Sequence, residues 1–317
     1  MKPTLSPVLR VLFAALIFAA LPVFAAPFNG FDLSNSLIDS SKILAGGPEK
    51  DGIPAIDQPH FIKPEQATFL KPGERILGIE INGISKAYPI KILNWHEIVN
   101  DRIGNIDYAI TYCPLCGTGV AFAANIKDKT LNFGVSGLLY NSDVLLYDRQ
   151  TESLWSQIKS QAISGEMAGT KLNRLPITHT RWSNWLQSHP TTKVMSKNTG
   201  YARDYEKNPY RGYEKSTAVY FRVTNKAPAD YHPKERVIGL EMHGQFKAYP
   251  FSEIDKVGKA VFTDSLAGEK VSIHWDKANQ QVKITNVSGH VIPAIEGFWF
   301  AWFAFHPDTE IFKANPE

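Results

Sequence analysis

Along most of the chain apolar residues alternate with polar ones instead of recurring every three or four positions, which predicts a mostly β protein with short helices, an α+β fold. The clearest alternation brackets tight turns. Between residues 73 and 90 an apolar strand runs into Asn82-Gly83, and a second strand ends in Tyr88-Pro89. Between 234 and 251 the same order passes through His243-Gly244 to Tyr249-Pro250. Asn-Gly between apolar runs signals a hairpin because both central residues must reach positive φ. Beyond the first hairpin Ile92, Trp95 and Val99 recur at helical spacing, predicting a short helix that carries His96 beside its apolar stripe. Residues 106–112 and 119–123 read as strands flanking Cys113 and Cys116, and 131–135 and 144–147 as strands flanking Tyr140-Asn141-Ser142-Asp143. Residues 271–275 and 282–284 read as a later strand pair, and Thr180 is placed to cap a short helix through Trp182 and Trp185.

The two hairpin segments align without a gap, each residue pairing with one 161 positions later, and Glu74, Arg75, Gly78, Glu80, Gly83 and Lys86-Ala87-Tyr88-Pro89 recur identically. Two copies are too few for a solenoid, so the pattern predicts two related β-rich lobes from an internal duplication. We expect an irregular arm over 26–72, a first lobe over 73–208, a linker over 209–233 and a second lobe over 234–317. The second lobe has neither a Cys-x-x-Cys motif nor a histidine matching His96. If both lobes keep the fold and one keeps the cysteines, the cysteines serve something other than the fold.

The first residues change the setting. Lys2 and Arg10 precede an apolar run over 11–24 and small residues at Ala25 and Ala26, the pattern of a secretory signal peptide over 1–25. The run is shorter than the roughly 18 to 20 residues a membrane-spanning helix needs, so we expect export to the periplasm or medium, cleavage, and no stable membrane anchor afterwards. Losing Lys2 and Arg10 takes the formal charge from +3 to +1. Such a balance selects neither nucleic acid nor an anionic surface as partner.

The candidate chemistry sits in Cys113-Pro114-Leu115-Cys116-Gly117. A pair at this spacing supports metal ligation, dithiol/disulfide exchange or a structural disulfide. Gly117-Thr118-Gly119 leads into a strand, whereas thioredoxin-type pairs open a helix whose N-terminus stabilises the thiolate. A tight turn between strands, aiming both sulfurs at one point, is the knuckle geometry that suits copper or zinc. Further ligands must come from elsewhere, and His96 is the first candidate, with His179, His189 and His306 behind it. The site expected from sequence is therefore Cys113, Cys116 and His96. A second constellation, Ser136, Tyr140, Asn141, Asp143, Arg149 and Trp155, is dense in donors, acceptors and rings that suit a cleft beside the knuckle; its bland reading is a hairpin turn at Asn141 and a solvated connection.

Residues 93–101, 111–117, 136–143 and 147–157, holding Asn94-Trp95-His96-Glu97, Cys113-Pro114-Leu115-Cys116-Gly117, Tyr140-Asn141-Ser142-Asp143 and Tyr147-Asp148-Arg149-Gln150, together resemble a bacterial and archaeal domain-of-unknown-function family, the one numbered 3179. The resemblance runs from about Gly73 to Phe305 with the motifs in order, and it implies no reaction. Three functions follow from the residues: an envelope metal-binding protein, a thiol-disulfide oxidoreductase on a non-thioredoxin fold with Cys113 attacking and Cys116 resolving, and a carbohydrate or peptide binder using Trp155, Trp182, Trp185, Tyr201 and Tyr205.

Overall fold

A computed structural model describes residues 28–126 and 128–314, so the signal sequence expected over 1–25 lies outside the described residues. The fold is mostly β, in several sheets with short helices between them. Among the described residues no helix is long and apolar enough to cross a membrane.

Both eighteen-residue segments fold alike. Arg75–Ile81 pairs antiparallel with Ile84–Pro89, and Arg236–Met242 with Gln245–Pro250, in registers that match residue for residue. The turns are made by Asn82-Gly83 and His243-Gly244, all four at positive φ. Pro89 and Pro250, whose fixed φ suits a helix entry, cap the helices Ile90–His96 and Phe251–Val257. The first helix ends at His96, and Val99 belongs to the strand Ile98–Ile103, not to the helix that spacing suggested.

The likeness continues beyond the sequence match. Thr178–Arg181 returns beside Arg75–Ile81, the helix Trp182–Ser188 follows, and Lys193–Met195 lies parallel to Ile84–Pro89. Ile295–Phe298, the helix Trp299–Phe305 and Glu310–Ile311 repeat those steps on the second hairpin. Arg181, not Thr180, is the N-cap of the first of these helices, and the Thr180 hydroxyl instead accepts from Asn184.

Packing explains the recurring residues. Gly78 and Gly239 lie beneath Trp185 and Trp302, where a Cβ on Gly78 would come within 2.5 Å of the indole. Each indole N–H donates to a threonine seven residues on, Thr192 at 2.9 Å and Thr309 at 3.0 Å. Buried Lys86 holds Asp101 at 2.7 Å, and Lys247 holds Asp264 at 2.8 Å. The repeated residues thus build the scaffold.

What differs is the insertion between helix and return strand. The second unit inserts a three-stranded sheet over 261–286. The first inserts the meander Ile98–Ile103, Ile106–Cys113 and Thr118–Ala123, then four strands, Phe133–Tyr140 and Asp143–Asp148 among them, of a five-stranded sheet whose edge strand Ile43–Ala45 comes from the N-terminal arm. The meander joins the second unit's strands in one sheet through Gly119 opposite Glu296. Its two faces carry separate cores, Cys113, Cys116 and Trp155 on one side and Leu77, Tyr108 and Tyr112 on the other.

Adding one methyl under Trp185 tests this packing. Gly78→Ala is expected to lower stability by about 1–3 kcal/mol, the usual cost of overpacking a tight core, read as a lower urea midpoint with unchanged slope. An unchanged midpoint would show that the indole moves aside freely.

Candidate metal centre

The knuckle is the closed end of the hairpin Ile106–Cys113/Thr118–Ala123, with Cys113 paired opposite Thr118. Gly117, at φ +63°, turns the chain where the Phe298 ring leaves no room for a side chain, and Phe298 N–H donates to Cys116 O at 2.8 Å. Gln157 braces the hairpin beneath, accepting from the Thr118 hydroxyl at 2.5 Å and donating to the Thr111 hydroxyl at 2.9 Å.

The tip of another hairpin closes over the sulfurs. Asn141 and Ser142 take positive φ between the strands Phe133–Tyr140 and Asp143–Asp148, which delivers Asp143 to the knuckle. One ligating atom from each of Cys113, Cys116 and Asp143 lies within 4.8 Å of the other two, and all three residues are buried. Ligands about 2.3 Å from a tetrahedral ion stand about 3.8 Å apart, so the three must draw together to share a zinc-sized ion.

Hydrogen bonds leave this group unfinished. Ser142 O accepts from Cys116 Sγ at 3.2 Å and, weakly, from Cys113 Sγ at 3.8 Å. Asp143 Oδ2 accepts from Ile158 N–H at 3.1 Å. Asp143 Oδ1, Ser142 Oγ and the Tyr213 hydroxyl are buried without a partner among the described residues. Buried polar atoms are seldom left unpaired, and an unpaired carboxylate oxygen beside two thiols could hold a cation.

Electrostatics agree. Burial pushes the Asp143 carboxyl up to about 7 and both thiols upward. Burial, then the charge of Asp143, pushes Glu97 up to about 8. Without a cation this pocket favours its protonated forms, and a divalent ion would supply compensating charge.

The site differs from the sequence expectation in one ligand. His96 is engaged elsewhere: Nδ1–H donates to Pro54 O at 2.8 Å, which leaves Nε2 to accept from the Tyr205 hydroxyl at 2.7 Å. Its lone pair is spent on fastening the 199–205 segment, and Asp143 stands at the sulfurs in its place. His179 lies between Glu296 and Gly119 O, His189 on Glu80, and His306 against Phe246.

Of the second constellation the structure brings Asp143 alone to the ligand group. Ser136 Oγ donates to Leu145 O at 2.5 Å, and Tyr140 packs on Phe305. Asn141 bonds not within its own turn but to Ala304 O and Thr224 N–H. Arg149 pairs with Asp57, and the Trp155 indole donates to Asp148, which is buried rather than solvated. Trp155, Trp182, Trp185 and Tyr205 are core residues.

The family described as "Protein of unknown function (DUF3179)" matches residues 50–292. The chain belongs to that family. No curated protein and no solved structure matches it.

The raised carboxyls set a pH dependence in metal-free protein. Folded Asp143 and Glu97 keep protons that their unfolded forms release near pH 4, so stability falls as pH rises from about 4 towards 8. Chelator-treated Asp143→Asn should lose much of that slope, on the order of 3 kcal/mol between pH 5 and 8, in urea titrations at both values. A slope equal to wild type would contradict the buried carboxyl.

Proposed function

We propose that this member of the DUF3179 family is an exported metal-binding protein holding one zinc ion on Cys113 Sγ, Cys116 Sγ and Asp143. The observation that carries the reading is the buried Asp143 oxygen left without a partner opposite two thiols. The donor set favours zinc over copper. Zinc, a borderline ion, accepts sulfur and carboxylate together, whereas Cu(I) selects soft thiolate and thioether ligands. When bound, the ion supplies positive charge to a buried group that otherwise holds protons. Export rests on the sequence over 1–26.

Thiol-disulfide exchange fits less well. Its attacking thiol is exposed and easily ionised, and here both sulfurs are buried with their pKa pushed up by that burial. The aromatic-binding reading loses its surface, because the tryptophans it needs lie in the cores.

Elemental analysis of the reduced, zinc-loaded chain after gel filtration should find one equivalent of zinc. Cys113→Ser and Asp143→Ala should each weaken binding by at least about tenfold. Zinc at a hundredfold over its dissociation constant should add about 2.7 kcal/mol of stability and raise the wild-type Tm. Wild-type protein that retains no zinc, or Asp143→Ala binding as tightly as wild type, would overturn the assignment.

A further inference from the structure

Three protein ligands leave one corner of a tetrahedral ion open. Resting on the zinc reading above, we infer that Glu97 is the fourth ligand, closing a centre of two thiolates and two carboxylates built to hold its ion rather than to present it to a substrate.

The backbone makes the argument. Glu97 is the C-cap of the helix Ile90–His96 and sits at φ +57°, ψ −33°, where a side chain is strained and glycine is favoured. It is pinned on both sides, its N–H donating to Leu93 O at 2.8 Å and its carbonyl accepting from Tyr112 N–H at 2.7 Å, one residue before Cys113. The second unit provides an internal control. Its hairpin and helix run in the same register 161 residues on, and the position matching Glu97 is Gly258, at φ +66°, ψ 12°. Where the chain has no cysteines it places glycine at this cap; beside the cysteines it places a strained glutamate.

Glu97 is buried, so the fold keeps a carboxyl out of water at a strained position. Its carbonyl is bonded to Tyr112, the residue before Cys113, which sets Glu97 beside the knuckle but outside the 4.8 Å set, so it joins by rotation about its side-chain bonds. Strain retained at a functional position is a recognised pattern. Four anionic ligands on a divalent ion leave the same formal −2 as a zinc site of four cysteine thiolates, a charge that structural zinc sites carry. Closure by four protein groups also separates holding sites from hydrolytic ones, which keep a position for water.

The test replaces zinc by Co2+ in the reduced, metal-free full chain and follows its visible bands in wild type, Glu97→Gln and Glu97→Gly. Wild type should show tetrahedral thiolate-ligated Co2+ unchanged by added azide. Both variants should bind at least about tenfold more weakly and should respond to azide, as solvent enters the vacated position. Metal-free Glu97→Gly should melt at or above wild type, because glycine relieves the cap. Wild-type affinity and spectrum in Glu97→Gln, an azide response in wild type, or a lower metal-free Tm in Glu97→Gly would overturn the inference while leaving the three-ligand site standing. Wild type that binds no Co2+ would instead overturn the zinc reading beneath it.

Discussion

The molecule is tied together at Glu296. This buried carboxylate sits where the second unit's return strand meets the meander of the first, opposite Gly119. Arg236, Arg75 at 3.0 Å and His179 at 3.3 Å converge on it. Burial alone would raise the carboxyl, yet the charges of Arg236, His179 and Arg75 hold it well below the usual range. Removing one partner from such a group leaves an uncompensated buried charge, a loss of about 3–5 kcal/mol. The two arginines occupy equivalent places in the two units, so the clamp fixes both hairpins to the strand that leaves the knuckle. His179 fills the space above Gly119, which is why that position carries no side chain.

From this clamp the knuckle inherits its rigidity. Tyr112 faces the Glu296 side of the sheet, and the next residue, Cys113, faces the opposite core, as strand alternation requires. The sulfurs are therefore held from behind by a charged lock and from beneath by Gln157. The facing hairpin adds Asp143 through a two-residue turn that is itself fastened, Asn141 binding Ala304 O and Thr224 N–H. A site so braced on regular strands presents its ligands with little freedom, which favours tight holding of an ion.

Much of the scaffold was legible in the sequence, because hairpins are local. Asn82-Gly83, Tyr88-Pro89 and the strands on either side of the cysteines follow from turn chemistry and alternation. The ligand set was less legible, because it is not local. His96 is seventeen residues before Cys113 and looked like the natural third ligand, but its ring serves Pro54 and Tyr205. Asp143 entered the reading only as part of a cleft, since nothing in spacing says which of two hairpin tips will close over the sulfurs. The later half of each unit escaped notice because insertions of different length separate it from its hairpin. Trp182, Trp185 and His189 correspond to Trp299, Trp302 and His306 at an offset of 117, not 161. Glu97 did leave a signal, a charged residue where the other copy of the helix ends in glycine, and reading it required knowing where both helices stop.

The most direct measurement is an anomalous difference map from crystals of reduced, zinc-loaded protein, collected on both sides of the zinc edge. The account predicts one peak about 2.3 Å from Cys113 Sγ and Cys116 Sγ and about 2.0–2.2 Å from an Asp143 oxygen. A peak elsewhere, or none with Cys113 and Cys116 joined to each other, would contradict it.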